Sequence, residues 1–450
     1  MVLWRCPALS GAGQADPRLL MFYDSDNRVN PPKCHPNTKV AVINKIIDWA
    51  NGIIDANAFM LWLYGPAGAG KTAIARKIAE IFADHGLLLA SFLFFRSDPN
   101  RNTMKPLVAN IAYRVAFVIP GAREPINAVI EADPLTLSYS VEMQLKKLVF
   151  EPLRLLVDQG YFSNQQFPRL IVIDGLDECL DKDSQTNLVQ LLSFSVARYQ
   201  LPLKFLIVSR PEFHIKSAVA IAGEQSTVSH LELNNDFLPN EDIHCFLTDK
   251  FREIKACHPF RSRIPSFWPS KQQMDTLICK ASGQFIYASL AVRFINSTCN
   301  LPMRQLDIVL ELRPPINHDL PFAELDALYA FILSCTKSLV LVLRILGLYD
   351  ALNEGYGEDI LGFIEFVLGL EDGDACFYLS PLNSLLEVQE HHDICFHHSS
   401  FMDFLHSAER SKDYCIDARK SHFLITQKIL QIFTSDGICL QSFFDLLSLG

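Results

Sequence analysis

One stretch of the chain, residues 65–72, has the residue types and the spacing to bind phosphate groups. It reads Gly65-Pro66-Ala67-Gly68-Ala69-Gly70-Lys71-Thr72 and matches the pattern G-x-x-x-x-G-K-[ST]. In this pattern the glycines let backbone N–H groups point inward as an anion nest. The lysine reaches the β- and γ-phosphates of a nucleotide, and the hydroxyl that follows it is a ligand of Mg²⁺. The sequence therefore predicts a nucleotide site, and the alternative is a glycine-rich turn that binds nothing.

The residues on either side of this loop predict the strand and the helix that must position it. The apolar run 59–64 precedes the loop and is typical of a buried parallel strand. After the loop, Ile74, Ile78 and Ile81 recur at helical spacing, and Gly86 is a natural end for the helix. The N-terminus of this helix adds partial positive charge where phosphates would lie.

An acidic turn, DGLDE at residues 174–178, follows a second strand-like run at 170–173. Ligands of open α/β sheets bind at the carboxyl ends of parallel strands, so we expect Asp174 to hold the Mg²⁺, directly or through water. Asp177 or Glu178 is a candidate to orient or deprotonate an attacking water. Without the phosphate-binding loop, this turn would be read as an acidic start of the next helix.

A basic residue, Arg210, follows a third apolar run at 204–208. A guanidinium group matches the geometry of phosphate oxygens, so Arg210 is predicted to sense the γ-phosphate. The alternative is a surface residue in a turn that Pro211 ends.

Together these motifs resemble the NACHT branch of the STAND NTPases, in particular the nephrocystin-type NACHT domains of fungal NLR-like proteins. The resemblance rests on the acidic turn 174–178 and on the Ser-Arg-Pro-Glu segment 209–212. It extends to segment 34–49 before the loop, where Lys39 stands at a position that is usually Arg, and to segment 91–96.

The same resemblance implies a role for a histidine near the end of the chain. Residues 396–405 resemble the F-x-H-x-x-F-x-[DE]-F-L stretch of NACHT winged-helix domains. In that family the histidine contacts the β-phosphate of bound ADP and holds a closed state, and the matching residue here is His398. Asp403 stands where animal members often have Glu. The alternative is a histidine of the core or the surface.

A neighbouring cluster of possible zinc ligands is not favoured as a metal site. Alternation along a strand sends the side chains of Cys395, His397 and His398 to different faces. No second ligand pair follows at finger spacing after His391 and His392.

Composition bounds the class of protein. Of 450 residues, 49% are hydrophobic and 20% are charged, which is typical of a globular chain. The net charge of −10 argues against nucleic acid as a partner. The 12 cysteines are scattered and no secretory signal begins the chain, so we expect a cytoplasmic protein with reduced thiols. Lys337 and Arg344 interrupt the apolar run 331–349, which we interpret as a buried helix and not as a contact with a membrane.

The predicted fold class is α/β, an ASCE-type P-loop NTPase with a five-stranded parallel sheet, followed by a helical and a winged-helix domain. The strands are expected at 59–64, 88–95, 169–173, 204–208 and 229–233. The expected organisation is an irregular segment 1–30, a lead-in helix 31–57, the NTPase core 58–235, a helical domain 236–320, a winged helix 321–410 and a helical segment 411–450.

The function predicted from these observations is an ATP/ADP-binding switch that uses Mg²⁺ and hydrolyses ATP slowly, if at all. ATP is favoured over GTP because no N-K-x-D signature follows the core. The resemblance implies assembly with other proteins, in homo- or hetero-oligomers, and a part in immunity or self/non-self signalling. Two alternatives stay open: an interaction scaffold whose nucleotide site is structural or degenerate, and a metabolic P-loop kinase.

Overall fold

The computed structural model of the protein describes residues 33–96, 98, 101–163, 167–223, 227–234, 237–313, 322–352, 359–388 and 394–436. These residues divide into two compact units. The first unit comprises the chain as far as Phe237, except for Ala67–Ala69, which group with the second unit from Leu238 onward. The predicted segment 1–30 and residues 437–450 of the predicted C-terminal segment lie outside the described residues.

The first unit is built on a sheet of five parallel strands. The strands are β1 (Met60–Tyr64), β2 (Leu88–Leu93), β3 (Leu170–Asp174), β4 (Lys204–Ser209) and β5 (Val228–Glu232). Their order across the sheet is β2-β3-β4-β1-β5, and each neighbouring pair is parallel. The predicted fold class, a P-loop NTPase with a five-stranded parallel sheet, is confirmed for this unit. The observed strand ends differ from the predicted ends by two residues or fewer.

Helices join and cover these strands. They are α1 (Val40–Ala50), α2 (Lys71–Asp84), α3 (Met104–Val118), α4 (Pro120–Ala132), α5 (Val141–Leu145), α6 (Glu151–Asp158), α7 (Lys182–Tyr199) and α8 (Phe213–Gly223). All five residues of β3 are buried. Helices on both faces of a parallel sheet leave its central strands without a solvent side, which explains why the strands read as continuous apolar runs. Polar residues end β3 and β4, at Asp174 and Ser209.

The second unit is mainly helical. Its helices are α9 (Pro239–Cys257), α10 (Lys271–Ala281), α11 (Phe285–Ile295), α12 (Pro302–Glu311), α13 (Ala323–Ser334), α14 (Leu339–Leu352), α15 (Ile360–Leu368), α16 (Asp374–Leu379), α17 (Ser400–His406), α18 (Ala408–Ser411) and α19 (Ala418–Asp436). Two short antiparallel strands, β6 (Leu386–Val388) and β7 (Ile394–Phe396), precede α17. The winged-helix assignment of this region and the predicted domain bounds stay predictions.

The sequence predicts the apolar run 331–349 to be one buried helix, and this prediction is wrong. The run spans the end of α13 and most of α14, and the exposed Lys337 lies in the break between them. Among the described residues, no single helix is long and apolar enough to cross a membrane. The pair α13 and α14, which bends by 114° at the break, passes that test on length and composition taken together.

Candidate nucleotide-binding site

The loop 65–70 joins β1 to α2, and its glycines are required by its geometry. Gly70, the residue before α2, has a φ of 90°, which lies in the left-handed region that residues with a Cβ atom avoid. A Cβ atom on Gly65 would lie 3.0 Å from the Cβ atom of Leu233, just after β5. The loop therefore turns sharply and packs closely against the neighbouring strand end.

Lys71 is the first residue of α2, and its ammonium group points back at the loop. Its Nζ atom donates to the carbonyl oxygens of Gly65 and Pro66, each at 2.9 Å. Burial lowers the pKa of Lys71 from 10.5 to about 8; Arg210 acts in the same direction and the nearby carboxylate of Asp177 opposes it. The side chain remains a cation at neutral pH, and it is less hydrated than a surface lysine. Such a cation is suited to bind the oxygens of a polyphosphate.

Thr72 and Asp174, the two predicted magnesium ligands, lie close together. The Thr72 hydroxyl is near the carboxyl group of Asp174, the last residue of β3, and favours its ionised form. Asp174 is only 5% exposed, and its burial raises its pKa to about 7. A hydroxyl and a carboxylate are the oxygen ligands that Mg²⁺ prefers, and a bound cation would stabilise the ionised form of this carboxyl group. These residues therefore fit a magnesium nucleotide, with Thr72 and Asp174 holding the metal.

The acidic turn 174–178 is tied to the strands on both sides of β3. The backbone N–H of Gly175 donates to the carbonyl of Val208 in β4 at 3.0 Å. The N–H of Phe94, just after β2, donates to the carbonyl of Asp174 at 2.8 Å. Gly175 has a φ of 73°, so the chain makes a left-handed turn directly after Asp174. This turn brings the carboxylates that follow to the carboxyl edge of the sheet.

Asp177 and Arg210, predicted as a catalytic candidate and as a phosphate sensor, bind each other. The Oδ1 atom of Asp177 accepts from the backbone N–H of Arg210 at 2.9 Å. Its Oδ2 atom lies 3.2 Å from the Nε atom of the same arginine. Asp177 is 7% exposed, and the Arg210 side chain is half-buried. The structure thus brings these two predicted residues together at the end of β4.

A second arginine, Arg96, contacts the same turn and was missed as a site residue. Its Nη2 atom donates to the carbonyl oxygen of Asp177 at 3.1 Å, and its backbone N–H lies 3.4 Å from the Oε2 atom of Glu178. Glu178, the other catalytic candidate, is half-buried. The signal that could have found Arg96 is the one that found Asp174 and Arg210, a charged residue at the end of an apolar strand.

His398 belongs to the second unit, and its hydrogen bonds indicate which ring nitrogen carries the proton. Its Nδ1 atom accepts from the backbone N–H of Ser400, the first residue of α17, at 3.0 Å. A neutral imidazole that accepts at Nδ1 carries its proton on Nε2. Ser399, at the N-cap position of α17, makes no side-chain cap hydrogen bond, and the histidine ring provides an acceptor at this helix N-terminus instead. Contact between His398 and a nucleotide stays a prediction.

Of the cluster of possible zinc ligands, His391 and His392 lie outside the described residues. The Nε2 atom of His397 lies 3.2 Å from Nη1 of Arg293 and 3.1 Å from the carbonyl oxygen of Asn383. Burial lowers the pKa of His397, and Arg293 lowers it further. A permanent cation beside this ring opposes a metal ion there, which agrees with the interpretation from the sequence.

The sequence model of a known family, described as nephrocystin 3, N-terminal, matches residues 44–210. That segment holds the phosphate-binding loop, the acidic turn and Arg210. This match supports a P-loop NTPase of the NACHT/STAND type for residues 44–210, the class that the motifs indicated. A search of the curated proteins found no match for the chain.

Several solved structures align with most of this chain at low sequence identity. A STAND protein with a tetratricopeptide repeat sensor from Pyrococcus horikoshii is 12% identical with a TM-score of 0.43, over 86% of this chain and 44% of that one. This chain thus spans under half the length of that STAND protein. Cdc6p from Pyrobaculum aerophilum is 13% identical with a TM-score of 0.38, over 89% and 97% of the two chains.

The expectation that nucleic acid is not a partner is wrong. The ORC1 protein of Aeropyrum pernix, whose structure was solved in complex with DNA, is 15% identical with a TM-score of 0.31, over 88% of this chain and 95% of that one. The expectation rested on the net charge of the whole chain. A sum over all residues does not describe the charge of any one surface, so a net charge of −10 is no ground for excluding nucleic acid.

Proposed function

We propose that this protein is a nucleotide-dependent switch that binds ATP and ADP with Mg²⁺ and hydrolyses ATP slowly. The observation that carries the proposal is that the Lys71 ammonium is bonded to the carbonyls of the phosphate-binding loop, with the Thr72 hydroxyl and the buried Asp174 carboxyl group close to it. A cation and two oxygen ligands, from a helix N-terminus and from a different strand, thus meet at the carboxyl edge of the sheet. This edge is where open α/β sheets bind their ligands.

Each residue of the site has a distinct role in this proposal. Backbone N–H groups of the loop 65–70 and the Lys71 ammonium bind the phosphates, and Thr72 and Asp174 hold the magnesium. Arg210 senses the terminal phosphate, and Glu178 orients water. When bound, magnesium ATP would supply the phosphoanhydride bond that is hydrolysed. Its terminal phosphate is present in the ATP-bound state and absent from the ADP-bound state.

His398 is the residue that would couple the nucleotide to the second unit. A proton on Nε2 makes this nitrogen a donor, and phosphate oxygens are strong acceptors. We propose that it donates to the β-phosphate of ADP and so favours a closed state, as the family resemblance implies. Because a ligand shifts a conformational equilibrium only through contacts that differ between the two states, exchange of ADP for ATP must weaken this contact.

The first test is to identify the nucleotide that the purified protein carries. The protein is denatured, and the released nucleotide is identified by chromatography for the wild type, Lys71→Ala and Lys77→Ala. Lys77 is a matched control, because it lies on the same helix and pairs with Glu80 at the surface. We expect stoichiometric ADP from the wild type and from Lys77→Ala, and none from Lys71→Ala. A wild type that releases no nucleotide and binds no added ATP would contradict the proposal.

The scaffold alternative predicts bound nucleotide with neither turnover nor a conformational response. Hydrogen exchange of the protein with ADP, compared with a non-hydrolysable ATP analogue, separates the two functions: a switch changes its protection pattern and a scaffold does not. The clamp is tested by the affinity for ADP of His398→Ala, with the adjacent His397→Ala as the control. An affinity that His398→Ala leaves unchanged would exclude the clamp.

Assembly with other proteins and a part in immune or self/non-self signalling enter this proposal only through the family resemblance, and a cytoplasmic location enters it through the scattered cysteines. The mass of the protein in solution, measured with ADP and with the ATP analogue, tests the first of these. A nucleotide-dependent increase in mass is expected, and an identical mass in both states would argue against assembly on exchange.

A further inference from the structure

Asp177 is held by one neighbour in a way that does not suit a residue that activates water. Both of its carboxylate oxygens contact Arg210: Oδ1 accepts from the backbone N–H at 2.9 Å, and Oδ2 forms an ion pair with Nε at 3.2 Å. Its side chain is 6% exposed, so it has little access to solvent. A residue that takes a proton from water must reach that water with an oxygen lone pair. The oxygens of Asp177 instead fix the backbone and the guanidinium group of one arginine.

The sheet order explains why the position of this arginine matters. Arg210 follows β4, and β4 lies between β3, which ends at Asp174, and β1, which leads into the phosphate-binding loop. In the strand register, Asp174 is opposite Val208 and Tyr64 is opposite Ser209. Arg210 therefore emerges between the magnesium ligand and the loop. A flexible arginine at this point needs a fixed counter-charge to present its guanidinium group in one orientation.

The backbone of Asp177 is itself held from the other side. The Nη2 atom of Arg96 donates to its carbonyl oxygen at 3.1 Å. The carbonyl oxygen of Arg96 in turn accepts from the side-chain amide of Asn102 at 3.3 Å, and the carbonyl of Asn102 accepts from the N–H of Leu180 at 2.9 Å. The carboxylate of Asp177, which contacts Arg210, is therefore on a turn whose backbone is held by hydrogen bonds from the segment that follows β2.

We propose that Asp177 is a positioning residue for Arg210, and that the Asp177–Arg210 pair sets the preference between nucleoside triphosphate and diphosphate. This inference rests on the proposed function of the site. It removes Asp177 from the chemistry of hydrolysis and leaves the orientation of water to Glu178.

The test measures affinity and not only turnover. Calorimetry with magnesium ADP and with a non-hydrolysable ATP analogue gives the ratio of the two affinities for the wild type, Asp177→Asn, Arg210→Ala and the double variant. Asparagine keeps an oxygen for the Arg210 N–H but loses the charge that pairs with Nε. A hydrogen bond between charged groups corresponds to a change of about 10- to 100-fold in affinity, so Arg210→Ala should weaken analogue binding by that factor.

Asp177→Asn should weaken analogue binding in the same direction, with ADP affinity changed less than about threefold, because its effect passes through Arg210. The double variant should be no weaker than Arg210→Ala alone. Glu178→Gln should lose turnover and keep the affinity ratio. Asp183→Asn, at an exposed carboxylate of α7, is the matched control and should change neither quantity.

Three results decide against the inference. An Asp177→Asn protein that keeps the affinity ratio but loses turnover would make Asp177 a catalytic residue. Additive effects in the double variant would show that the two residues act separately. A wild-type protein that binds neither nucleotide would contradict the proposed function, and the inference that rests on it would then also be wrong. If Asp177→Asn does not fold, Arg210→Lys provides the test, because lysine keeps the positive charge but has no Nε–H group. Loss of the wild-type affinity ratio in Arg210→Lys would support the inference that the Nε contact positions the cation. An unchanged ratio would show that any cation at this position suffices and would contradict the inference.

Discussion

Gly175 offers a test of how tightly the acidic turn is built, because one methyl group should distort it. Its φ is 73°, and a Cβ atom added there would lie 2.9 Å from the backbone oxygen of Phe94, a residue that is fully buried. Gly86, at the end of α2, is a matched control. Its φ is 68°, but a Cβ atom there would meet nothing within 4 Å. The two glycines thus share the left-handed backbone and differ in the space around them.

The magnitudes follow from that difference. A left-handed residue with a Cβ atom costs about 1 to 2 kcal/mol, and this cost applies to Gly86→Ala and to Gly175→Ala alike. The contact with a backbone oxygen forces the chain to shift, which adds about 1 to 3 kcal/mol for Gly175→Ala alone. In a unit of this size each 1 kcal/mol lowers the melting temperature by about 2 to 4 °C. Gly175→Ala should therefore melt measurably below Gly86→Ala.

The assay is thermal unfolding of both variants without nucleotide, followed by calorimetry with magnesium ADP. Gly175→Ala should also weaken ADP binding, since a shifted turn moves the carboxylate of Asp174, whereas Gly86→Ala should bind as the wild type does. Equal melting temperatures and equal affinities for the two variants would refute the reasoning, because the close approach to Phe94 would then carry no cost.

Further variants test buried polar groups in both units. Burial lowers the pKa of Lys71 from 10.5 to about 8, so the protonated side chain destabilises the nucleotide-free fold below pH 8, and this destabilisation disappears as the pH rises towards 10.5. Lys71→Met should therefore raise the melting temperature at pH 7 and leave it unchanged near pH 10.5. An increase in melting temperature that is the same at both pH values would contradict the explanation by burial of the charge. The hydroxyls of Tyr329 and Ser400 are both buried and bond to each other at 2.9 Å, so Tyr329→Phe and Ser400→Ala each leave one buried hydroxyl without this partner and should each cost about 1 to 3 kcal/mol in chemical denaturation. Trp62→Phe removes the buried bond from Nε1 to the Ser209 hydroxyl at 2.9 Å and should lower stability by about 1 kcal/mol, and an unchanged denaturation midpoint would show that this bond has no net effect.

Much of the fold was predictable because its signals are local. A parallel strand covered on both faces must be apolar along its whole length, so β1, β3 and β4 stand out as short uninterrupted runs. The phosphate-binding loop is equally local, since its glycines and its lysine lie within eight consecutive residues. The positions of Asp174 and Arg210 at the ends of apolar runs follow from the same reasoning.

Other features needed the tertiary structure. A serine, Ser399, stands at the N-cap position of α17, but the acceptor there is the ring of His398, whose orientation no sequence pattern encodes. The apolar run 331–349 was predicted as one buried helix, but α13 ends at Ser334 and α14 begins at Leu339, and the segment 335–338 between them contains three polar residues.

The sequence by itself determined the class of the first unit, its strands and the residues that could bind phosphate and magnesium. Only the tertiary structure decided which of them meet. Asp177 and Arg210 are 33 positions apart, and Arg96 lies 81 positions before Asp177. Their contacts exist because β4 is placed between β3 and β1, and β2 beside β3, in the sheet. Strand order depends on how whole strands and helices pack together, and that information is not contained in any single motif.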